Sequence, residues 1–157
     1  MPKKGINAIE ILIENLRILK KIKFEEDSNL GKSPINIALI SGGTAQNVVP
    51  DYAEAEIVIR NSVEADKILA KIKEELKDVE IEIINSSNPI YNDVEDIAQA
   101  LGLKTKTLPY FTEAYFFKDK ARVIILGAGD ESDAHTTGEK VKIKDLNKLI
   151  KIYLKLI

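Results

Sequence analysis

One imidazole stands in the most polar loop of this sequence, Gly127-Ala128-Gly129-Asp130-Glu131-Ser132-Asp133-Ala134-His135-Thr136-Thr137-Gly138-Glu139, which follows the apolar run Val123 to Leu126. His135 is the only histidine, and a neutral imidazole with carboxylates nearby can serve as one zinc ligand. Zinc needs three or four ligands, however, so spacing alone favours a solvated surface histidine. A second loop, Ser41-Gly42-Gly43-Thr44-Ala45-Gln46-Asn47-Val48-Val49-Pro50, has adjacent glycines that permit positive φ and close backbone approach, so its N–H groups could face a carboxylate or phosphate. The plainer reading, a long hairpin connection, is favoured on these residues alone. No Gly-Lys-Ser/Thr follows and no helix opens here, which disfavours nucleotide binding. Arg60 ends a strand pattern on its polar face and could offer its planar fork to a carboxylate, although such an arginine is more often solvated or paired with a glutamate. Thr112-Glu113-Ala114 could place a polar group in a pocket, but the aromatic residues around it read as packing.

These residues need elements to hold them. Ile6, Ile9, Leu12, Ile13, Leu16 and Leu19 recur at helical spacing and predict an amphipathic helix between Gly5 and Ile22. A loop over 25–33 follows, then alternating strands at 35–39 and 52–60, a helix over 63–76 and a strand over 79–83. Helix, strand, strand, helix, strand predicts an α+β fold, specifically a ferredoxin-like two-layer unit that lacks its first strand. Only Met1-Pro2-Lys3-Lys4 precede Gly5, which leads us to expect a chain cut from something longer. Ser86-Ser87-Asn88-Pro89 is a composition break, dividing the chain into 1–87 and 88–157. Beyond it, a short helix over 93–101, strands at 104–108 and 123–126 (the latter buried on both faces), and an amphipathic helix over 144–157 predict an α/β segment. The stripe of that last helix is Leu146, Leu149, Ile150, Tyr153 and Leu154.

Composition narrows the function classes. With 157 residues, 45% of them apolar, the chain can build one domain or two small lobes. Its 23 basic and 25 acidic residues balance to a formal charge of -2, so no nucleic acid or membrane partner is expected on charge. There is no cysteine, so any metal would be held by oxygen or imidazole nitrogen. No apolar run approaches a membrane span and no signal-peptide core opens the chain, which leaves a cytoplasmic location as the default expectation.

Taken in order, Gly5-Ile6-Asn7-Ala8-Ile9, then Gly42 through Asp51, then the strand ending in Arg60 resemble the inserted lid or dimerisation domain of a zinc-dependent family. That family comprises acetylornithine and acetyl-lysine deacetylases, succinyl-diaminopimelate desuccinylases and glutamate carboxypeptidases. The resemblance continues through Thr112-Glu113-Ala114, Gly127-Ala128-Gly129-Asp130, Ala134-His135-Thr136 and Glu139, which are similar to the end of its catalytic domain. It implies two zinc ions whose bridging water attacks an amide carbonyl with help from a glutamate base. His135 matches the last zinc ligand. Asn47 and Arg60 would reach substrate from the lid, Arg60 holding a carboxylate, and the backbone of Gly127 to Gly129 would line the site. The remaining ligands, the bridging aspartate, the base and the lid's first strand with its histidine have no counterpart here. Ala128 stands where many relatives have proline, and Gly138 where asparagine is common.

The resemblance thus implies the C-terminal part of a metal-dependent amidohydrolase that deacylates an N-acyl amino acid or cleaves a dipeptide. It also implies a homodimer formed through the lid, and inactivity of this chain alone. The alternative is a non-catalytic assembly module of the same descent, pairing through the exposed sheet edge.

Overall fold

The computed structural model describes residues 5–108, 110–134 and 136–156, in two compact units, Met1–Pro89 and Ile90–Ile157. In the first unit, α1 (Ala8–Leu19) is followed by β1 (Ile35–Gly42), β2 (Ala53–Ile59) and α2 (Ala65–Glu75). The strands form one antiparallel pair, from Ile35 opposite Ile59 to Gly42 opposite Ala53. β2 alternates as its sequence predicts, with Ala53, Ala55, Ile57 and Ile59 half-buried and Glu54, Glu56 and Val58 exposed.

β1 keeps that alternation only as far as Ile37. A bulge at Ala38 shifts the register, so Leu39 rather than Ala38 lies opposite Glu56 on the outer face, where it is 61% exposed. One extra residue in a strand reverses the faces of all that follow it, which the alternation of Ile35, Ile37 and Leu39 does not reveal. The segment 79–83 shows half-buried Val79 and Ile81 between exposed Glu80 and Glu82, yet it joins no ladder among the described residues. The expected third strand is therefore corrected to an unpaired segment with a strand's face pattern.

The core of the first unit centres on Leu19 of α1 and Ile68 of α2. Asn15, not predicted as part of the α1 stripe, is buried, while Ile6 and Ile13, which were, are exposed. The Asn15 carboxamide donates to Ile11 O (3.0 Å) and Lys77 O (2.9 Å) and accepts from Lys77 N (3.0 Å). It thus ties α1 to the chain leaving α2. At the far end of the hairpin, buried Ser33 and Ser62 are linked, Ser33 Oγ accepting from Ser62 N at 2.9 Å. Ser87 O and Asn88 Oδ1 accept from Asn61 Nδ2 and Ala65 N, so residues 87 and 88 are bonded into this unit.

The second unit holds α3 (Glu95–Leu101), a 3-10 turn at Glu113–Phe117, another at Glu131–Asp133, and α4 (Ile143–Tyr153). Gly102 ends α3 at φ +68°, with Leu103 N donating to Ala98 O at 2.8 Å, a left-handed helix stop. Arg122 pairs with the Asp96 carboxylate (2.9 and 3.0 Å) and holds it below the usual carboxylate range. Neither 104–108 nor 123–126 is a strand among the described residues, and Ile124 and Ile125 are 39% and 48% exposed. A strand buried on both faces needs neighbours on both sides, and the described residues of this unit supply none. α4 buries Ile152, whereas Leu146, Ile150, Tyr153 and Leu154 of the expected stripe are exposed. The described residues are α+β, four helices with one antiparallel pair. No helix among the described residues is long and apolar enough to cross a membrane.

Candidate functional site

The glycine loop is built by constraints at both roots. At Gly42 a Cβ would fall 2.8 Å from Ala53 Cβ and 3.1 Å from Tyr52 O, so only glycine fits without displacing the facing strand. Gly43 has φ +73°, and its N–H donates to Tyr52 O at 3.2 Å. The chain then makes a turn closed by Val48 N to Ala45 O (3.1 Å), with Gln46 and Asn47 at its exposed tip. Val49 and Pro50 are half-buried, and Pro50 O accepts from Ala8 N at 2.9 Å. Asn7, Ile9 and residues 42–50 line an open groove of about 740 Å³.

A polar cluster that sequence reasoning missed stands where this loop joins the sheet. Tyr52 Oη donates to Glu54 Oε2 at 2.6 Å and Ser41 Oγ to Glu54 Oε1 at 2.9 Å. These bonds, Tyr52's first, hold the Glu54 carboxyl below its usual range, and the same bond pushes the Tyr52 phenol up. The signal was present as Ser41 and the Tyr52-x-Glu54 spacing, but it needs the Ser41–Glu54 register to be seen.

Arg60 follows β2 directly, its N–H donating to Pro34 O at 3.1 Å beside the Ser33–Ser62 link. Its side chain is exposed and makes no ion pair among the described residues. Arg60 leaves the ladder at the end opposite the 43–52 loop. The seven paired positions between them represent roughly 20 Å of strand at about 3.3 Å per residue. The hairpin by itself therefore does not bring Asn47 and Arg60 together.

A profile of the peptidase dimerisation domain matches residues 1–83. The chain belongs to the M20 peptidase dimerisation-domain family. It is 34% identical to a peptidase M20 domain-containing protein of Schizosaccharomyces pombe, over 92% of this chain and 36% of the relative. It is 32% identical to an uncharacterized metallohydrolase of Methanocaldococcus jannaschii (94% of this chain, 46% of the relative). It is 29% identical to an acetylornithine deacetylase of Aliivibrio salmonicida (99% and 47%). The chain thus spans between a third and a half of the length of these curated relatives.

The part matching the dimerisation-domain family carries Asn47 and Arg60, and Gly127 and Gly129 lie in the other unit. Gly129 has φ +105° and a Cβ there would meet Lys140 O and Val141 at 3.7 Å, so glycine is required by backbone conformation more than by space. Asp130 Oδ1 accepts from Ser132 N (2.9 Å) and Ser132 Oγ (2.7 Å), which draws its carboxyl down in pKa and opens the Glu131–Asp133 turn. Thr136 then donates to Asp133 O through both N and Oγ1. His135 lies outside the described residues. Among those described, no three His, Asp or Glu side chains converge as a metal would require. Thr112 Oγ1 accepts from Ala114 N and starts a 3-10 turn whose Tyr115 and Phe116 cluster with Phe111, but Phe111 and Phe116 are 60% and 66% exposed, so the run is not the core packing its aromatic content led us to expect.

Proposed function

We propose that this chain is the C-terminal portion of a metal-dependent amidohydrolase that deacylates an N-acyl amino acid, silent on its own and dimeric through its first unit. In this reading the first unit, 1–87, is the lid and dimerisation domain, and 88–157 is the last segment of a catalytic domain. The observation that carries it is the dimerisation-domain match over residues 1–83 joined to likeness along almost the whole chain to a deacetylase and a metallohydrolase. Asn47 and Arg60 reach substrate from the lid, Arg60 pairing its fork with the substrate carboxylate. The backbone of Gly127 and Gly129 lines the pocket, and His135 is one ligand of a two-zinc centre completed outside this chain. Bound there, zinc would polarise the amide carbonyl and activate a water. The protein works in the cytoplasm, on a small molecule rather than nucleic acid or membrane.

The test is calorimetric titration of zinc into the chain and into His135→Ala, with mass by light scattering. We expect a dimer with no binding on the order of micromolar or tighter. Such binding, lost in His135→Ala, would mean that the chain rebuilds a metal site alone and would overturn the silent-portion reading.

A non-catalytic assembly module is the second reading, favoured by a two-stranded sheet in which each strand has an unpaired edge among the described residues. Acyl release from N-acetylornithine by the product of the locus, upstream reading frame included, separates the two. Turnover supports the enzyme, and a dimer without turnover supports the module.

A further inference from the structure

We infer that Asn7 is a positioning residue for Asn47, acting through the first turn of α1. The inference uses the reading of Asn47 as a substrate-contacting residue, but its structural part stands apart from that. The first N–H groups of a helix have no partner within it. In α1 they are fully assigned. The Asn7 side chain accepts from Ile9 N (3.1 Å) and Glu10 N (3.3 Å), and Asn7 O accepts from Ile11 N (3.2 Å). One amide of that turn, Ala8 N–H, is left for another acceptor, and it is taken by Pro50 O at 2.9 Å. The cap therefore selects which helical donor faces the loop. The same arrangement leaves the helix end no free donor for an anion, so the groove beside it is not an anion site of the helix-terminus type.

Beyond its Gly42–Gly43 root, where Gly43 N donates to Tyr52 O, the loop is held at this point. Val49 and Pro50 are half-buried against α1, while Thr44 to Val48 are exposed. Gly5 sits under Val49, where a Cβ would come within 3.2 Å of Val49 Cγ1, and a Cβ on Gly43 would meet Ile9 Cδ1 at 3.4 Å. Asn47 is three residues from the pinned carbonyl, across the turn closed by Val48 N to Ala45 O. A shift of the first turn of α1 is thus carried to Asn47 through Pro50 and Val49.

The experiment is amide exchange and amide resonance mapping on the full chain for Asn7→Ala, Asn7→Asp and Gly5→Ala. Asn7→Ala should speed exchange at Ala8 and Val48 by roughly fivefold or more, the factor that a lost helix cap carries, with ladder amides such as Ile57 unchanged. Asn7→Asp should restore protection, and the Ala8 and Val48 resonances should then titrate with the carboxylate introduced. Gly5→Ala leaves the cap intact and should shift Asn47 and Val48 while Ile9 and Glu10 stay in place, which keeps the test open if Asn7→Ala does not fold. Equal acceleration in ladder amides, or unmoved Asn47 and Val48 in Gly5→Ala, would overturn the proposal. Adding N-acetylornithine as a probe to the product of the whole locus separates it from the functional reading. A loop that answers to Asn7 but not to the probe leaves the positioning intact and removes the substrate role.

Discussion

Glu54 shows how a single residue changes meaning once its neighbours are known. In sequence it is one of the polar positions of a strand; in the fold it accepts from Tyr52 and Ser41 at the foot of the glycine loop. Its folded pKa is lowered, so its contribution to stability is present above the unfolded carboxyl's pKa and is lost as pH falls through the folded value. Tyr52 has the opposite sign. Its pKa is raised, so its contribution is present below the unfolded phenol's pKa and is lost as pH rises through the folded value. Tyr52→Phe should move the Glu54 titration upward toward the ordinary range, leaving only the Ser41 bond to lower it. Carboxyl-carbon NMR titration reads this directly, and an unmoved Glu54 midpoint would show that the Tyr52 bond does not persist in solution.

At the scale of elements, Asn15 joins α1 to the chain after α2 through both the N–H and the C=O of Lys77. The next residue, Asp78, has φ +55°, a conformation that a free chain rarely holds, so this exit is held by its surroundings. Asn15→Leu would leave two backbone groups of Lys77 without their partner at a part-buried contact and should cost about 1–2 kcal/mol. Asn15→Asp keeps the acceptor and loses the donor. Urea unfolding of both variants gives the order, with the leucine variant the least stable. A leucine variant as stable as wild type would mean that water replaces the carboxamide. The periodicity of α1 was legible from Ile9, Leu12, Leu16 and Leu19, whereas its cap at Asn7 was seen only in the structure. Nor was Asn15 legible, because a polar residue on a buried face is recognised only by a partner 62 positions away.

For the molecule as a whole, the telling feature is how few apolar side chains are buried among the described residues: Leu19 and Ile68 in one unit, Ala98, Ala114 and Ile152 in the other. Large residues such as Phe111, Phe116, Ile143, Ile150 and Leu154 are more than half exposed. Of the apolar residues of α4, Ile143, Leu146, Ile150 and Tyr153 are therefore exposed. Truncating Ile152 to Ala should cost about 2–4 kcal/mol, whereas Ile150→Glu, at 55% exposure, should change stability by only about 0.5 kcal/mol. Thermal melts of the two variants test this; an Ile150→Glu loss as large as that of Ile152→Ala would show that the stripe is covered in solution.

By itself the sequence determined what local physics can determine. Gly102 as a helix stop, the paired glycines as a strand-to-strand loop, and the alternation of β2 all follow from φ preferences and period within a few residues. The ordered motifs also carried the resemblance to the family in which the chain is placed. Tertiary structure alone decided the bulge at Ala38, the burial of Asn15, the Ser41–Tyr52–Glu54 cluster and the separation of Arg60 from Asn47 along the ladder. It also decided that 79–83 and 123–126, strand-like in pattern, remain unpaired among the described residues. The reason is the same in each case: a strand pattern states which side chains prefer burial, but a strand exists only when another strand supplies the donors and acceptors along its edge.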